Sequence, residues 1–216
     1  MIRIFIESGV QQSSKKGKGT TNEQNFVEEF IAYHFPSKQK GKDYEVIGIG
    51  GKDQLANSLL PFDENTLAGG TNILLFDADT VQNLGGYAAR STELMMKREQ
   101  LGLDFELFLW PNNQDDGDFE SLLIQMINPV HQCLLDCFNG FEMCIRGNDP
   151  DEQFYKTPER KSAIYTYINS FIKSKSEEEK MKSGYWFFND ARFWNLDADA
   201  GKPFVEFLSP ILESSH

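Results

Sequence analysis

No stretch of this 216-residue chain approaches the roughly 20 consecutive apolar residues that a membrane-crossing helix requires. The opening MIRIFIESG is a short strand-like run that meets a glutamate at position 7, too brief for the apolar region of a secretion signal. Cysteine is scarce. Cys133, Cys137 and Cys144 are the whole complement, and an odd number without an export signal speaks for reduced thiols in a cytoplasm. Cys133 and Cys137 stand four apart near His131, but the fourth ligand and tighter spacing of a zinc site are missing, so buried thiols are expected. Positive charge is also in short supply. Thirty-three acidic residues against 21 Lys and Arg leave a formal charge of −12, which excludes a protein wrapped all round by nucleic acid but leaves room for local basic contacts. There is no internal repeat of solenoid period.

What remains is the composition of a globular protein, with 40% apolar and 25% charged residues. Eighteen Phe promise a well-filled core. Strand-like runs occur at IRIFI (2–6), YEVIGIGG (44–51), TNILLF (71–76) and DFELFLW (104–110). Between them, helical spacing predicts helices over 22–35, stopped by Pro36, over 52–62, and over 87–101, closed by Gly102. A helical stretch over 118–138 carries an interruption at Pro129. This alternation predicts an α/β fold, a mostly parallel four-stranded sheet with helices on both faces. Residues 1–140 would form that core. Residues 141–216 would form a helical and aromatic extension packed on it, making a single domain overall. Within the extension, 141–156 reads as charged and irregular, 158–174 as a helix and 175–184 as a solvated run. The aromatic tail from Tyr185 reads as docking on the core, with a last helix over 203–212.

The sequence NILLFDADT (72–80) poses the chemical question. A buried strand ends by placing Asp77 and Asp79 side by side, and two such carboxylates repel unless a cation or a proton resolves them. A divalent metal is the reading that the spacing favours. A calcium EF-hand loop is excluded, because Val81, Gln82 and Ala88 occupy the places that need an acid or Asn, a Gly and a Glu; LDADAG (196–201) fails the same test. A haloacid-dehalogenase-like phosphatase would use Asp77 as nucleophile and Asp79 as general acid. That motif normally closes the first strand of its fold, whereas here it closes the third. Glu7, at the end of the first strand, offers a third carboxylate at the same edge of the sheet, where parallel α/β sheets gather ligands.

Glu7 in IFIESG, with Asp77 and Asp79 in LLFDADT, resembles the Toprim domain of topoisomerases, bacterial primases and overcoming-lysogenization-defect nucleases. The resemblance extends to GIGGKDQL, LFLWPNNQDDGDFESLL and ERKSAIYTYI, and it is strongest to a small bacterial Toprim-related family of unknown function. It implies a Toprim-like or Rossmann-like fold with Glu7, Asp77 and Asp79 as catalytic residues and ligands of Mg²⁺ or Mn²⁺. It also implies phosphodiester chemistry on DNA or RNA, of nuclease or phosphotransferase type. In the overcoming-lysogenization-defect nucleases a Toprim domain is joined to an ATPase. An alternative is therefore a non-catalytic interaction module that works with an ATPase partner.

The remaining candidates carry two readings each. Glu120 is either a further metal ligand or a complement to a helix N-terminus. Lys52 and Lys161 are candidate phosphate contacts, or ordinary surface charges, as is Arg160. Asp115, Asp116 and Asp118 read as a solvated acidic turn. The lysine-rich SSKKGKG (13–19) lacks the Walker spacing and is either a phosphate clamp or a linker. His34 falls on the apolar stripe of its helix and reads as a core or edge histidine.

Overall fold

The computed structural model describes residues 1–9, 21–83 and 85–213. Four strands, β1 (Ile2–Ile6), β2 (Tyr44–Gly48), β3 (Thr71–Asp77) and β4 (Glu106–Trp110), form one sheet in the order β2-β1-β3-β4, every pair parallel. Helices cover both faces, so the alternation of elements in the chain is realised as an α/β layer fold. Side chains of β1 show why. Ile2, Ile4 and Ile6 point into one core and Phe5 into the other, as a period of two requires of a strand buried on both sides.

The larger core receives α1 (Asn22–His34), α4 (Phe119–Gln125), α5 (Gln132–Asn148), α6 (Arg160–Asn169) and α8 (Lys202–Glu213). The smaller one lies under α2 (Leu59–Leu67) and α3 (Tyr87–Leu101), with Phe5 stacked on Phe62 at 3.6 Å between ring centroids. Local chemistry sets the ends. The Thr21 side chain accepts from the Gln24 N–H at 3.1 Å to start α1, and Gly102 closes α3 in the left-handed region at φ 65°. Asp118 caps α4, which stops before Pro129.

Several expectations for the second half change. Helix α5 runs on to Asn148 through residues expected to be irregular, and the solvated run, without a buried residue, is also helical over eight residues, α7 (Lys175–Lys182). A capping box explains α7: Ser174 and Glu177 bond each other's backbone N–H, at 3.3 and 2.7 Å. The long helix expected over 158–174 is shorter, ending at Asn169. All three cysteines are exposed rather than buried, because α5 turns Leu135 and Phe138 to the core and so rotates 133, 137 and 144 outward. Among the described residues no helix is long and apolar enough to cross a membrane.

The aromatic tail packs into the larger core. Trp186, Phe188, Phe193, Trp194 and Phe204 are at most 3% exposed, and Phe204 sits 4.8 Å from Trp110 and 5.2 Å from Phe30 between ring centroids. Phe204→Ala should therefore destabilise the whole protein by about 3–5 kcal/mol. Urea unfolding followed by tryptophan fluorescence should still show one transition; an earlier, separate loss of the tail would show that it is not part of the same cooperative core.

Candidate metal and phosphate site

The strand order places a topological switch between β1 and β3. The chain leaves β1 for α1 on one face and leaves β3 for α3 on the other, and a crevice opens outside their carboxyl ends. Glu7 and Asp77 stand at this crevice. In the ladder, Glu7 N–H donates to the Leu75 carbonyl at 3.2 Å, while the Glu7 carbonyl accepts from Gly50 N–H at 3.1 Å on the opposite side. The Asp77 N–H is left to the Glu7 carboxylate, Oε2, at 3.2 Å. A side chain thus takes the place of a ladder carbonyl and locks Glu7 beside Asp77. On the β2 side, a Cβ on Gly48 would lie 2.3 Å from the Ser8 carbonyl oxygen, so any other residue would push the loops after β1 and β2 apart.

Two further acids reach the same place. Glu23, in the first turn of α1, is 7% exposed; its carboxylate accepts from Trp110 Nε1 at 2.8 Å and from Ser8 N–H at 3.1 Å. Glu120, in the first turn of α4, faces Lys161 Nζ at 3.7 Å. Glu7, Glu23, Asp77, Glu120 and Lys161 line one cleft of about 550 Å³. A second cleft, of about 580 Å³, shares Glu120 and Lys161 and adds Thr80, Asn83 and Arg160. Sequence reasoning missed Glu23, since an acid in a first helical turn is ordinary there. Only the meeting of α1 with the end of β4 gives it a buried indole partner.

The electrostatics follow from burial and crowding. Asp77 is pushed well above the usual carboxylate range, first by burial and then by Glu23, Glu7 and Glu120, although the Phe119 N–H at 2.8 Å opposes the shift. Glu7 is raised chiefly by burial, with Asp79 adding to the effect. Burial lifts Glu23 to about 7 against hydrogen bonds from the Ser8 side chain, the Trp110 indole and the Ser8 N–H.

Asp79 is placed differently. Its backbone is left-handed, φ 59°, and its carbonyl accepts from Gly117 N–H at 2.8 Å. The extended geometry that would aim it alongside Asp77 therefore stops at the strand end, and its carboxylate pairs with Arg90 instead. Arg90 is buried on α3 and bonds Glu93 at 2.8 Å. Lys52 joins the far side of this chain, 2.9 Å from Glu93. Arg90 was legible in part: it shares a helical stripe with the buried Leu94.

Other candidates resolve into scaffolding. Asp116 accepts from the Tyr87 N–H at 2.7 Å, tying the acidic turn to α3, and Asp118 pairs with Arg160 at 3.1 Å. His34 bonds the Leu196 carbonyl at 3.0 Å. The lysine-rich stretch at 13–19 lies outside the described residues.

Among the described residues no three His, Cys, Asp or Glu side chains form a ready metal cage. The donor set nonetheless suits Mg²⁺ or Mn²⁺. Mg²⁺ keeps several waters and takes one or two carboxylates plus substrate phosphates rather than an all-protein cage. Glu7 and Asp77 supply two hard carboxylates, neither of them in an ion pair among the described residues. In the same cleft the Asn22 side-chain oxygen is buried without a partner among the described residues. No family model, curated protein or solved structure matches the chain. The functional reading therefore rests on the cleft.

The raised acids make stability pH-dependent in a definite sense. A carboxyl whose folded value exceeds its unfolded one favours the protonated state, so the contribution of Glu23 to stability is fully present below about 4.5 and is lost as pH rises through about 7. For Glu23 the loss is on the order of 3 kcal/mol. Urea titrations from pH 4.5 to 8 should show this decline in wild type and a shallower one in Glu23→Gln; parallel curves would show that Glu23 does not hold its proton.

Proposed function

We propose that this cleft performs Mg²⁺- or Mn²⁺-dependent phosphodiester chemistry on nucleic acid, of the Toprim nuclease or phosphotransferase type. The supporting observation is the pairing of Glu7 with Asp77 at the switch point, with Glu23 and Glu120 in the same cleft. Glu7 and Asp77 would hold the ion, with Glu120 as a further ligand. When bound, the ion neutralises their repulsion and polarises a phosphoryl oxygen. Glu23, buried beside them with its value near 7, is suited to accept or release a proton at neutral pH. Lys161, more than half exposed and shared by both clefts, offers a point charge to a substrate phosphate. Lys52, tied to Glu93, acts at a distance.

A second reading is favoured by one observation. Asp79 is committed to Arg90, which removes one acid from a Toprim-type catalytic set. A Toprim-like module that binds a metal or a nucleic acid without cutting it, working with an ATPase partner, would tolerate that loss. The same pairing weakens the phosphatase reading, which needs Asp79 free as general acid.

The test combines calorimetry with Mn²⁺ and nicking of supercoiled plasmid. Wild type should bind the ion and nick the plasmid. Asp77→Asn and Glu7→Gln should reduce nicking by at least about 100-fold. Nicking that survives in Asp77→Asn would remove the assignment, and ion binding without cleavage of any nucleic acid would favour the non-catalytic module.

A further inference from the structure

The charge of a carboxylate at Asp79 can be balanced by a bound ion or by a cation that the protein supplies. The chain supplies one. Arg90 presents Nη2 to Asp79 Oδ2 and Nη1 to Glu93 Oε2, the latter at 2.8 Å, and its side chain is only 6% exposed. Glu93 is in turn gripped by Lys52 at 2.9 Å and faces Lys97 at 3.6 Å. The arginine is thus held from behind as well as in front. A guanidinium does not deprotonate in proteins, so this positive charge is permanent.

The backbone reinforces the pairing. Asp79 adopts φ 59°, a conformation uncommon outside glycine, and is pinned there by Gly117 N–H on its carbonyl. Gly85 clears the space its side chain occupies: a Cβ on Gly85 would come within 2.4 Å of the Asp79 Cβ. Neither Asp79 nor Arg90 lines the cleft that holds Glu7, Glu23, Asp77 and Glu120. Two-metal phosphoryl-transfer sites hold their ions about 3.5–4 Å apart and need carboxylates to clamp both. Here one of the two strand-end aspartates is already neutralised by the protein.

We propose that Arg90, paired with Asp79, is the built-in second cation of this centre, so that the cleft takes a single divalent ion on Glu7 and Asp77. The proposal rests on the metal-dependent reading above and adds to it the number of ions and the role of an arginine. Arg90 is a positioning residue: it holds Asp79 and contributes a fixed positive field to the neighbouring carboxylates, Glu7 included. Its Nε is buried with no acceptor among the described residues, so its donor capacity is not exhausted by the two carboxylates.

Counting Mn²⁺ by electron paramagnetic resonance decides the matter without reference to turnover. Wild type should titrate with one tight ion per chain. Asp79→Asn should keep that ion with its affinity changed by less than about threefold, whereas Asp77→Asn should lose it, a change of about 100-fold or more. Arg90→Met should open a second, weaker site at the released Asp79. If Arg90→Met does not fold, the comparison of Asp79→Asn with Asp77→Asn still decides. Two tight ions in wild type, or loss of the single ion in Asp79→Asn, would overturn the proposal and leave the metal-dependent reading intact. No ion in wild type would overturn both.

Discussion

Unbalanced negative charge around Asp77 is the constraint on which the rest of the cleft depends. Burial raises this carboxyl, and three further acids raise it more, while the nearest cationic side chain lining the cleft, Lys161, is turned to Glu120. A site assembled only for stability would pair such charges or exclude them, because a buried, uncompensated carboxylate is costly. The fold instead keeps Glu7, Glu23 and Asp77 together and holds them with backbone N–H groups, the Ser8 side chain and one indole, while Arg90 and Lys52 act on Glu7 without pairing with it. The proposed hydrated divalent cation would supply positive charge to such a cleft.

The sheet makes that arrangement hard to avoid. With β1 and β3 adjacent and their following helices on opposite faces, the backbone leaves the strand ends in opposite directions. Side chains from the strand ends and from the first turns of α1 and α4 line the space between, with Lys161 and the stretch from Ser183 to Trp186 closing it. Each of these strand ends and first turns carries an acid: Glu7, Asp77, Glu23 and Glu120. The same helix N-termini carry partial positive charge that favours anions nearby. This offsets part of the repulsion, while Ser8 and Trp110 hold Glu23 and Lys161 faces Glu120.

A few residues away the protein solves the same problem differently. Asp79, Arg90, Glu93, Lys52 and Lys97 form a chain of alternating charge in which each acid has a base. The contrast between this balanced network and the unbalanced cleft beside it separates scaffold from site. Charge-assisted hydrogen bonds of this kind fix geometry strongly, and this network sets the direction in which the loop after β3 leaves the sheet.

Much of this was legible from residue order alone. Continuous apolar runs in IRIFI and TNILLF, the stops at Pro36 and Gly102, and the alternation of strand and helix determined a parallel α/β sheet, because those signals act between near neighbours in the chain. The acids at positions 7 and 77 could be named as site candidates for the same reason: each follows a buried strand. Glu23 could not, since its environment comes from Trp110, 87 positions away. Nor could the turning of Asp79 toward Arg90, which a left-handed φ and Gly117 impose. The outward rotation of the three cysteines was likewise hidden until the face of α5 was set by its neighbours. Local pattern specifies where strands and helices begin and end; which charges share a low-dielectric space depends on contacts between distant segments, and those exist only once the chain has packed.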